Sequence, residues 1–181
     1  IPEQFGGLKP DDREDLITMV IVTEELSAGS LGAAGSLITR PEIIARALLE
    51  GGTEQQKNKW LGKIASGETL CAVSVTEANA GSDVASVSLS AAKTEGGYIL
   101  NGSKLWCTFA GAANVILVLA RTDKTEKSHK GLSLFMVEKP SSESDEFEFS
   151  QDGGGRMTGK AIKTLGYRGM HSFEMSYTDF F

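Results

Sequence analysis

Apolar residues in the first third of the chain recur every three or four positions, which is the spacing of an amphipathic helix. Gly29, Gly51 and Gly67 interrupt this spacing and are expected to end helices, because glycine readily adopts the conformation that follows a last helical turn. Thr53 and Gln56 predict a capping box, in which each side chain binds the backbone N–H of the other residue. The pattern therefore predicts three helices, over about residues 12–28, 36–50 and 54–66.

From Leu70 onward the apolar residues alternate with polar ones or form short unbroken runs, as in β-strands. Asn101-Gly102 predicts a two-residue hairpin between two of these strands, because both turn positions require positive φ. The polar, glycine-rich stretch 141–159 predicts a long exposed loop. Strands are predicted at residues 70–77, 87–94, 98–100, 104–108, 114–121, 131–138, 161–165 and 172–178. The expected fold class is α+β, with a helical segment followed by a closed or nearly closed barrel.

The composition is that of an ordinary globular protein and narrows the possible partners. The chain has 181 residues, of which 40% are apolar and 23% charged, and its formal net charge is −6. Nucleic acid is not an expected partner, because phosphate binding needs clustered Lys and Arg. No apolar run reaches the length of a membrane span. Cys71 and Cys107 form no CxxC pair, so no metal site is predicted and both are expected to be small buried side chains.

The stretch Val73–Asp83 holds several groups that can contact a ligand. A strand is expected to end at Thr76 and to continue into a loop of small residues. Gly81 lets the backbone approach a ligand closely, and the hydroxyls of Thr76 and Ser82 can donate and accept hydrogen bonds. The pattern alone leaves two interpretations equally open, a ligand-contacting loop and an ordinary turn capped by Asp83.

The stretch Asn101–Thr108 places an aromatic ring beside a hydroxyl. Trp106 and Thr108 are two residues apart on a predicted strand and therefore share one face. An indole packs on a planar ligand and a hydroxyl binds its heteroatoms, although a core Trp beside a cross-strand Thr is the more common arrangement. Arg168 lies on a glycine-flanked turn, where it either binds an anionic group or is solvated, and the pattern alone favours the solvated arrangement.

Several of these stretches, in the same order, resemble the acyl-CoA dehydrogenase family, and the resemblance covers essentially the whole chain. Val75–Asp83 is the most specific match, and Asn101–Thr108 is similar to the flavin-facing strand of that family. The resemblance implies the C-terminal part of a helical N-terminal domain over residues 1–69 and a middle, antiparallel β-barrel domain over residues 70–181. The family's C-terminal four-helix bundle is expected to be absent from this chain, which resembles a portion of a longer enzyme.

The resemblance also implies roles for individual residues around an FAD cofactor and an acyl-CoA substrate. Trp106 should lie against the flavin ring, with Thr108 near its reactive nitrogen. Ser82 should contact the flavin pyrophosphate or the CoA arm, and Arg168 should lie near the active-site end of the barrel. The implied cofactor-binding residues are Val75, Thr76, Gly81, Ser82, Trp106, Cys107 and Thr108, and the implied substrate-binding residues are Ser82 and Arg168.

The implied reaction is α,β-dehydrogenation of an acyl-CoA to the trans-2-enoyl-CoA, a step of fatty acid β-oxidation in which a carboxylate removes the α-proton and the β-hydrogen leaves as hydride to the flavin. The base is expected in the C-terminal domain, and Glu77 is expected to be structural. Expected partners are an electron-transferring flavoprotein or similar acceptor and further copies of the full-length chain, in the cytoplasm or the mitochondrial matrix. The alternatives are an acyl-CoA oxidase or flavin monooxygenase of the same superfamily, or a binding module without catalysis.

Overall fold

A computed structural model describes residues 1–13, 16–166 and 170–181, with the backbone alone described for residue 33 and residues 36–40. The chain divides into two compact units. One comprises Ile1–Cys71 and Thr164–Met170, and the other comprises Ala72–Lys163 and His171–Phe181. The first unit carries the helices, and the second carries almost all of the sheet.

Three helices form where the apolar spacing predicts them. They are α1 (Leu16–Gly29), α2 (Leu31–Gly51) and α3 (Glu54–Ser66). α2 begins at Leu31, before the predicted residue 36. Gly32 and Gly35 have low helix propensity, but they lie within the helix. Among the helices that the structure describes, none is long and apolar enough to cross a membrane.

Helix α3 has the capping box that its sequence predicts. The Thr53 hydroxyl accepts a hydrogen bond from the Gln56 N–H at 3.2 Å, and the Gln56 side chain accepts one from the Thr53 N–H at 2.8 Å. Gly67 follows with a φ of 77°, the left-handed conformation expected at a helix end. The buried residues of α3 are Trp60, Leu61 and Ile64. Local capping and the apolar stripe therefore determine this helix together.

Eight strands follow the helices and form one sheet. They are β1 (Cys71–Ser74), β2 (Ser90–Thr94), β3 (Gly97–Thr108), β4 (Val115–Arg121), β5 (Leu132–Glu138), β6 (Glu146–Ser150), β7 (Arg156–Ala161) and β8 (Ser172–Phe180). The spatial order is β1-β4-β2-β3-β8-β7-β6, and β5 pairs with β4. The predicted α+β class, with helices followed by a barrel-like sheet, is confirmed.

The sheet is mixed, which corrects the prediction of a wholly antiparallel barrel. β2 and β4 run parallel where Ser90 lies opposite Arg121. The chain reverses between β2 and β3 and again before β4, so β4 points in the same direction as β2 when the two become neighbours. The pairs β2–β3, β3–β8, β4–β5, β6–β7 and β7–β8 are antiparallel, as predicted.

The hairpin predicted at Asn101-Gly102 is wrong. β3 runs through this dipeptide without a break, and the turn between β2 and β3 lies at Glu95-Gly96. Gly102 has a φ of 139° and lies at a register shift against β8. Glycine is required there because a Cβ would lie 2.9 Å from the Cα of Leu89. The dipeptide therefore accommodates a close approach of two chain segments instead of a turn.

Part of the predicted loop at residues 141–159 is also wrong, because β6 and most of β7 lie within it and pair with each other. Phe147 and Phe149 alternate with glutamates along β6, a strand pattern that the high glycine content of the stretch obscured. The strand predicted over 161–165 ends at Ala161, and the strand predicted over 87–94 begins only at Ser90.

Replacement of Gly102 by alanine should lower the free energy of unfolding of the sheet unit by about 1–3 kcal/mol, because the added methyl group meets Leu89 and the residue keeps a positive φ. Gly81→Ala is the matched control, since Gly81 lacks a positive φ and has open space where a Cβ would be. It should leave this free energy unchanged or raise it by up to about 1 kcal/mol. Urea unfolding followed by circular dichroism measures both values, and equal losses would contradict the close approach at Gly102.

Candidate functional site

The loop after β1 and the middle of β3 meet in the sheet unit. β3 is irregular opposite β8 between Lys104 and Cys107, so its backbone leaves the regular ladder there. The N–H of Leu105 donates instead to the carbonyl of Thr76 at 2.8 Å. This bond holds Thr76 against β3, beside the residue that precedes Trp106.

Trp106 is a bulky residue in a strained backbone conformation. Its φ is 57°, in the left-handed region that costs a non-glycine residue about 1–2 kcal/mol. The residue is nevertheless 54% exposed, so burial of the indole does not offset this cost within the described part of the chain. Strain that is not explained by packing concentrates at binding and catalytic sites. Trp106 therefore marks the exposed side of β3 as a candidate ligand-binding face.

The hydroxyl of Thr108 lies next to Trp106 and is paired with a second hydroxyl. Thr108 Oγ1 is 3.4 Å from the carbonyl oxygen of Trp106 and 2.8 Å from Ser172 Oγ, which belongs to the opposite residue on β8. Either hydroxyl can donate to the other. Ser172 was not among the predicted site residues, because only the register between β3 and β8 brings it to Thr108.

Cys107 points away from this face and into the core. Its thiol is fully buried, with Sγ 3.2 Å from the hydroxyl oxygen of Ser74. Burial raises the pKa of Cys107 to about 11, although the hydrogen bond with Ser74 and the charge of Lys104 oppose the shift. The thiol is therefore protonated at neutral pH, and a contact between Cys107 and a ligand beside Trp106 would come from its backbone.

The loop residues predicted to bind a ligand are accessible. Thr76 is half-buried, whereas Gly81 and Ser82 are exposed. Within the described ranges, no group forms a hydrogen bond with the side-chain hydroxyl of Thr76 or of Ser82, so both can bind a ligand. The structure thus brings Thr76 to the strand that carries Trp106, whereas no described contact joins Gly81 or Ser82 to that strand. Arg168, predicted to bind substrate, lies outside the described residues.

Glu77 and Lys104 form a buried ion pair between the loop and β3. Lys104 Nζ is fully buried and donates to Glu77 Oε1 and to the carbonyl of Val75, each at 2.9 Å. Glu77 Oε2 accepts from the N–H and the hydroxyl of Ser88, each at 2.7 Å, and Oε1 accepts from the N–H of Leu89 at 2.8 Å. Four donors therefore occupy the Glu77 carboxylate.

The titration of the pair reflects burial and these hydrogen bonds. Burial raises the pKa of Glu77, but hydrogen bonds from Leu89, Ser88 and Lys104 outweigh it and hold the pKa below its usual value. Burial lowers the pKa of Lys104, and the neighbouring Glu77 carboxylate opposes that shift. A carboxylate held ionised by four donors is poorly suited to take up a proton, in agreement with a structural role for Glu77.

The group of Thr76, Trp106 and Thr108, with the buried Ser172 bonded to Thr108, is called the Trp106 face below. It combines an exposed indole with the hydroxyl of Thr108, which is 3.4 Å from the backbone carbonyl of the same Trp106. Such a surface suits a planar ligand that carries hydrogen-bonding heteroatoms on its rim. Among the described residues, no cluster of His, Cys, Asp and Glu is arranged to hold a metal ion.

Two family descriptions match the chain along nearly its whole length. The acyl-CoA dehydrogenase N-terminal domain matches residues 1–68, and the acyl-CoA dehydrogenase middle domain matches residues 72–180. The solved structure of butyryl-CoA dehydrogenase from Megasphaera elsdenii is similar to the chain with a TM-score of 0.82 and 30% sequence identity. That similarity covers 99% of this chain and 44% of the other.

Curated relatives are similar over the full length of the chain. (2S)-methylsuccinyl-CoA dehydrogenase of Cereibacter sphaeroides is 43% identical over 181 residues, which cover 99% of this chain and 31% of that protein. Mitochondrial isovaleryl-CoA dehydrogenase of Solanum tuberosum is 35% identical over 181 residues, which cover 100% of this chain and 40% of that protein. The chain therefore spans less than half the length of these relatives.

Replacement of Trp106 by glycine should change the free energy of unfolding by less than about 1 kcal/mol, because glycine relieves the positive φ and the lost indole is largely exposed. Phe173→Ala is the control in the same unit, since Phe173 is only 4% exposed and belongs to the sheet core. It should lower the free energy of unfolding by about 3–5 kcal/mol. Urea unfolding measures the free energy of unfolding of both variants. A loss for Trp106→Gly similar to that for Phe173→Ala would show that the Trp106 side chain stabilises the fold.

Proposed function

This chain belongs to the acyl-CoA dehydrogenase family, and from that membership we propose that it supplies the flavin-facing surface of an enzyme that desaturates an acyl-CoA between its α and β carbons. The observation that carries the proposal is the exposed indole of Trp106, held by a backbone φ of 57° beside the hydroxyl of Thr108. Binding of a planar ligand would account for this arrangement, which costs backbone strain and leaves about half of a large apolar residue exposed.

The Trp106 face fits FAD, because an isoalloxazine ring is planar and carries hydrogen-bonding atoms along its edge. Trp106 would lie against one face of the ring, and Thr108 would donate to an atom of its edge. When Ser172 donates to Thr108 Oγ1, the hydrogen of Thr108 remains available for the ligand. The remaining proposed contacts are Val75, Thr76 and the backbone of Cys107 with the ring, Gly81 and Ser82 with the pyrophosphate or the CoA arm, and Arg168 with the substrate.

The chain would contribute binding and orientation, whereas bound FAD would accept the hydride from the β carbon. The bond from Leu105 to Thr76 and the strained Trp106 backbone fix the two sides of the face before a ligand arrives. A preformed face loses less conformational entropy on binding than a flexible one. Covering the face would also exclude water and so strengthen hydrogen bonds to a developing enolate.

The base that removes the α-proton is proposed to come from outside residues 1–181. Among the described residues Glu77 is the only buried acidic side chain, and four donors already occupy its carboxylate. The limited share of the curated relatives that the chain covers, 31% and 40%, leaves room for further segments in those proteins. We therefore expect residues 1–181 alone to bind FAD weakly and to lack dehydrogenase activity.

The proposed substrate is a short acyl-CoA, because the named substrates of the similar proteins are methylsuccinyl-CoA, isovaleryl-CoA and butyryl-CoA. The proposed acceptor is an electron-transferring flavoprotein, and the proposed assembly is a homo-oligomer of the full-length protein. A cytoplasmic or mitochondrial matrix location would supply both acyl-CoA and acceptor.

Anaerobic addition of a substrate acyl-CoA to the FAD-loaded full-length protein should bleach the flavin absorbance in one turnover. Methylsuccinyl-CoA, isovaleryl-CoA and butyryl-CoA form the panel, with palmitoyl-CoA as the long-chain control. At least one short acyl-CoA should bleach the flavin and yield the corresponding enoyl-CoA by mass spectrometry. Rapid reoxidation of the bleached protein by oxygen would favour an oxidase, and FAD binding without bleaching would favour a monooxygenase or a non-catalytic module.

Replacement of Thr108 by valine should raise the dissociation constant of FAD about 2- to 12-fold, because it removes a hydrogen bond worth roughly 0.5–1.5 kcal/mol. Ser172→Ala should shift it in the same direction by a smaller factor, since Thr108 keeps its hydroxyl. Thr94→Val, on an exposed residue at the end of β2, is the control and should leave it unchanged. Flavin fluorescence titration of the full-length protein measures the constants. Identical FAD dissociation constants for all three variants would show that Thr108 does not contact the flavin.

A further inference from the structure

The segment between β1 and β2, residues 75–89, contributes to the proposed flavin site although it belongs to no strand. β1 ends at Ser74 and β2 begins at Ser90, and an isolated bridge between Glu77 and Ala80 is the one pairing described within the segment. Backbone groups that lack ladder partners need side chains or water as partners. Two backbone bonds attach this segment to the sheet, from the N–H of Leu105 to the carbonyl of Thr76 and from the N–H of Arg121 to the carbonyl of Leu89, and side chains supply further partners.

Glu77 and Lys104 supply several of these partners, and the two residues together are called the Glu77–Lys104 clamp. The Glu77 carboxylate accepts from the N–H groups of Ser88 and Leu89, and Lys104 Nζ donates to the carbonyl of Val75. The clamp thus holds both ends of the segment and connects them to β3. The N–H of Leu105, next to Lys104 in the chain, holds the carbonyl of the adjacent Thr76.

A buried ion pair is a poor device for stability alone. Both charges lose their hydration, and two apolar side chains of similar volume often stabilise a fold as well or better. Apolar side chains, however, form no directional bonds to backbone N–H and carbonyl groups. The distinctive contribution of the clamp is therefore the placement of the backbone at Val75, Ser88 and Leu89.

We infer that Glu77 and Lys104 are positioning residues, which hold the Val75–Thr76 backbone in register with Trp106 so that the two sides of the flavin site face the same ligand. The inference rests on the proposed function and adds to it a requirement for an intact clamp. Neither residue touches the ligand in this arrangement, because Lys104 is fully buried and Glu77 is saturated by its donors. Loosening the clamp should therefore displace Val75 and Thr76 while Trp106 stays exposed.

Lys104→Met in the full-length protein removes the ammonium group and keeps most of the length of the side chain. The dissociation constant of FAD should rise at least about tenfold, because one edge of the site is no longer fixed. The absorption spectrum of the bound flavin should shift toward that of free FAD. Hydrogen–deuterium exchange at the N–H of Leu105 should accelerate at least about tenfold, since its bond to Thr76 opens more often.

Lys139→Met is the matched control. Lys139 is also a buried lysine of the sheet unit, and its Nζ donates to the carbonyls of Gly111 at 2.7 Å and Pro140 at 2.8 Å. Neither bond involves residues 75–89, so this variant tests the loss of a buried ammonium without loss of the clamp. It should lower the melting temperature but leave the FAD dissociation constant and the exchange at Leu105 within about twofold of wild type.

A Lys104→Met protein that loses melting temperature but keeps the wild-type FAD affinity, flavin spectrum and Leu105 exchange would overturn the inference. Equal losses of affinity in the Lys104→Met and Lys139→Met proteins would overturn it as well. If Lys104→Met does not fold, the double variant Glu77→Gln, Lys104→Met, which buries no charge, is measured instead. If the wild-type protein binds no FAD, the proposed function fails, and the exchange at Leu105 still decides whether the clamp positions Thr76.

Discussion

The buried ion pair between Glu77 and Lys104 is the interaction on which the candidate site depends most. Glu77 lies in the segment between the end of β1 and the start of β2, where regular strand pairing stops. Its bond with Lys104 connects that segment to β3. Lys104 and the next residue, Leu105, bind the carbonyls of Val75 and Thr76, so the same short stretch of β3 holds the loop and carries Trp106. These two side chains and the Leu105–Thr76 backbone bond therefore couple the loop to the strand that carries the proposed ligand face.

The irregularity in β3 explains how a regular sheet presents an unusual surface. Leu100 and Lys104 are buried on one side of the strand, and after the register shift Cys107 takes the buried position. The shift leaves Trp106 exposed with a positive φ and frees the N–H of Leu105 for Thr76. Regular pairing on both sides of the irregularity, with Met175 opposite Lys104 and Phe173 opposite Cys107, keeps the strained residue in place.

The sequence predicts an element correctly where a short pattern of residues is compatible with only one conformation. The Thr53–Gln56 capping box and the following Gly67 allow few alternatives, and α3 begins and ends as predicted. Asn101-Gly102 was misleading because the same dipeptide suits a hairpin turn or a close approach within a strand, and only the position of Leu89 decides between them. Ser172 could not be predicted at all, since its contact with Thr108 depends on register across 64 residues. The predicted hairpin separated Lys104 from Leu100, and only the continuous β3, in which the two residues are four apart, assigns Lys104 to the same buried side.

Flavin binding by the Trp106 face is the step on which the proposed function depends. Its most direct test is the position of the isoalloxazine in a crystal structure of the full-length protein with FAD. We expect the ring to lie in van der Waals contact with the Trp106 indole, at about 3.5–4 Å, with an edge atom within roughly 2.7–3.2 Å of Thr108 Oγ1. An FAD bound elsewhere, or an indole of Trp106 covered by another part of the protein instead of a ligand, would contradict flavin binding by this face.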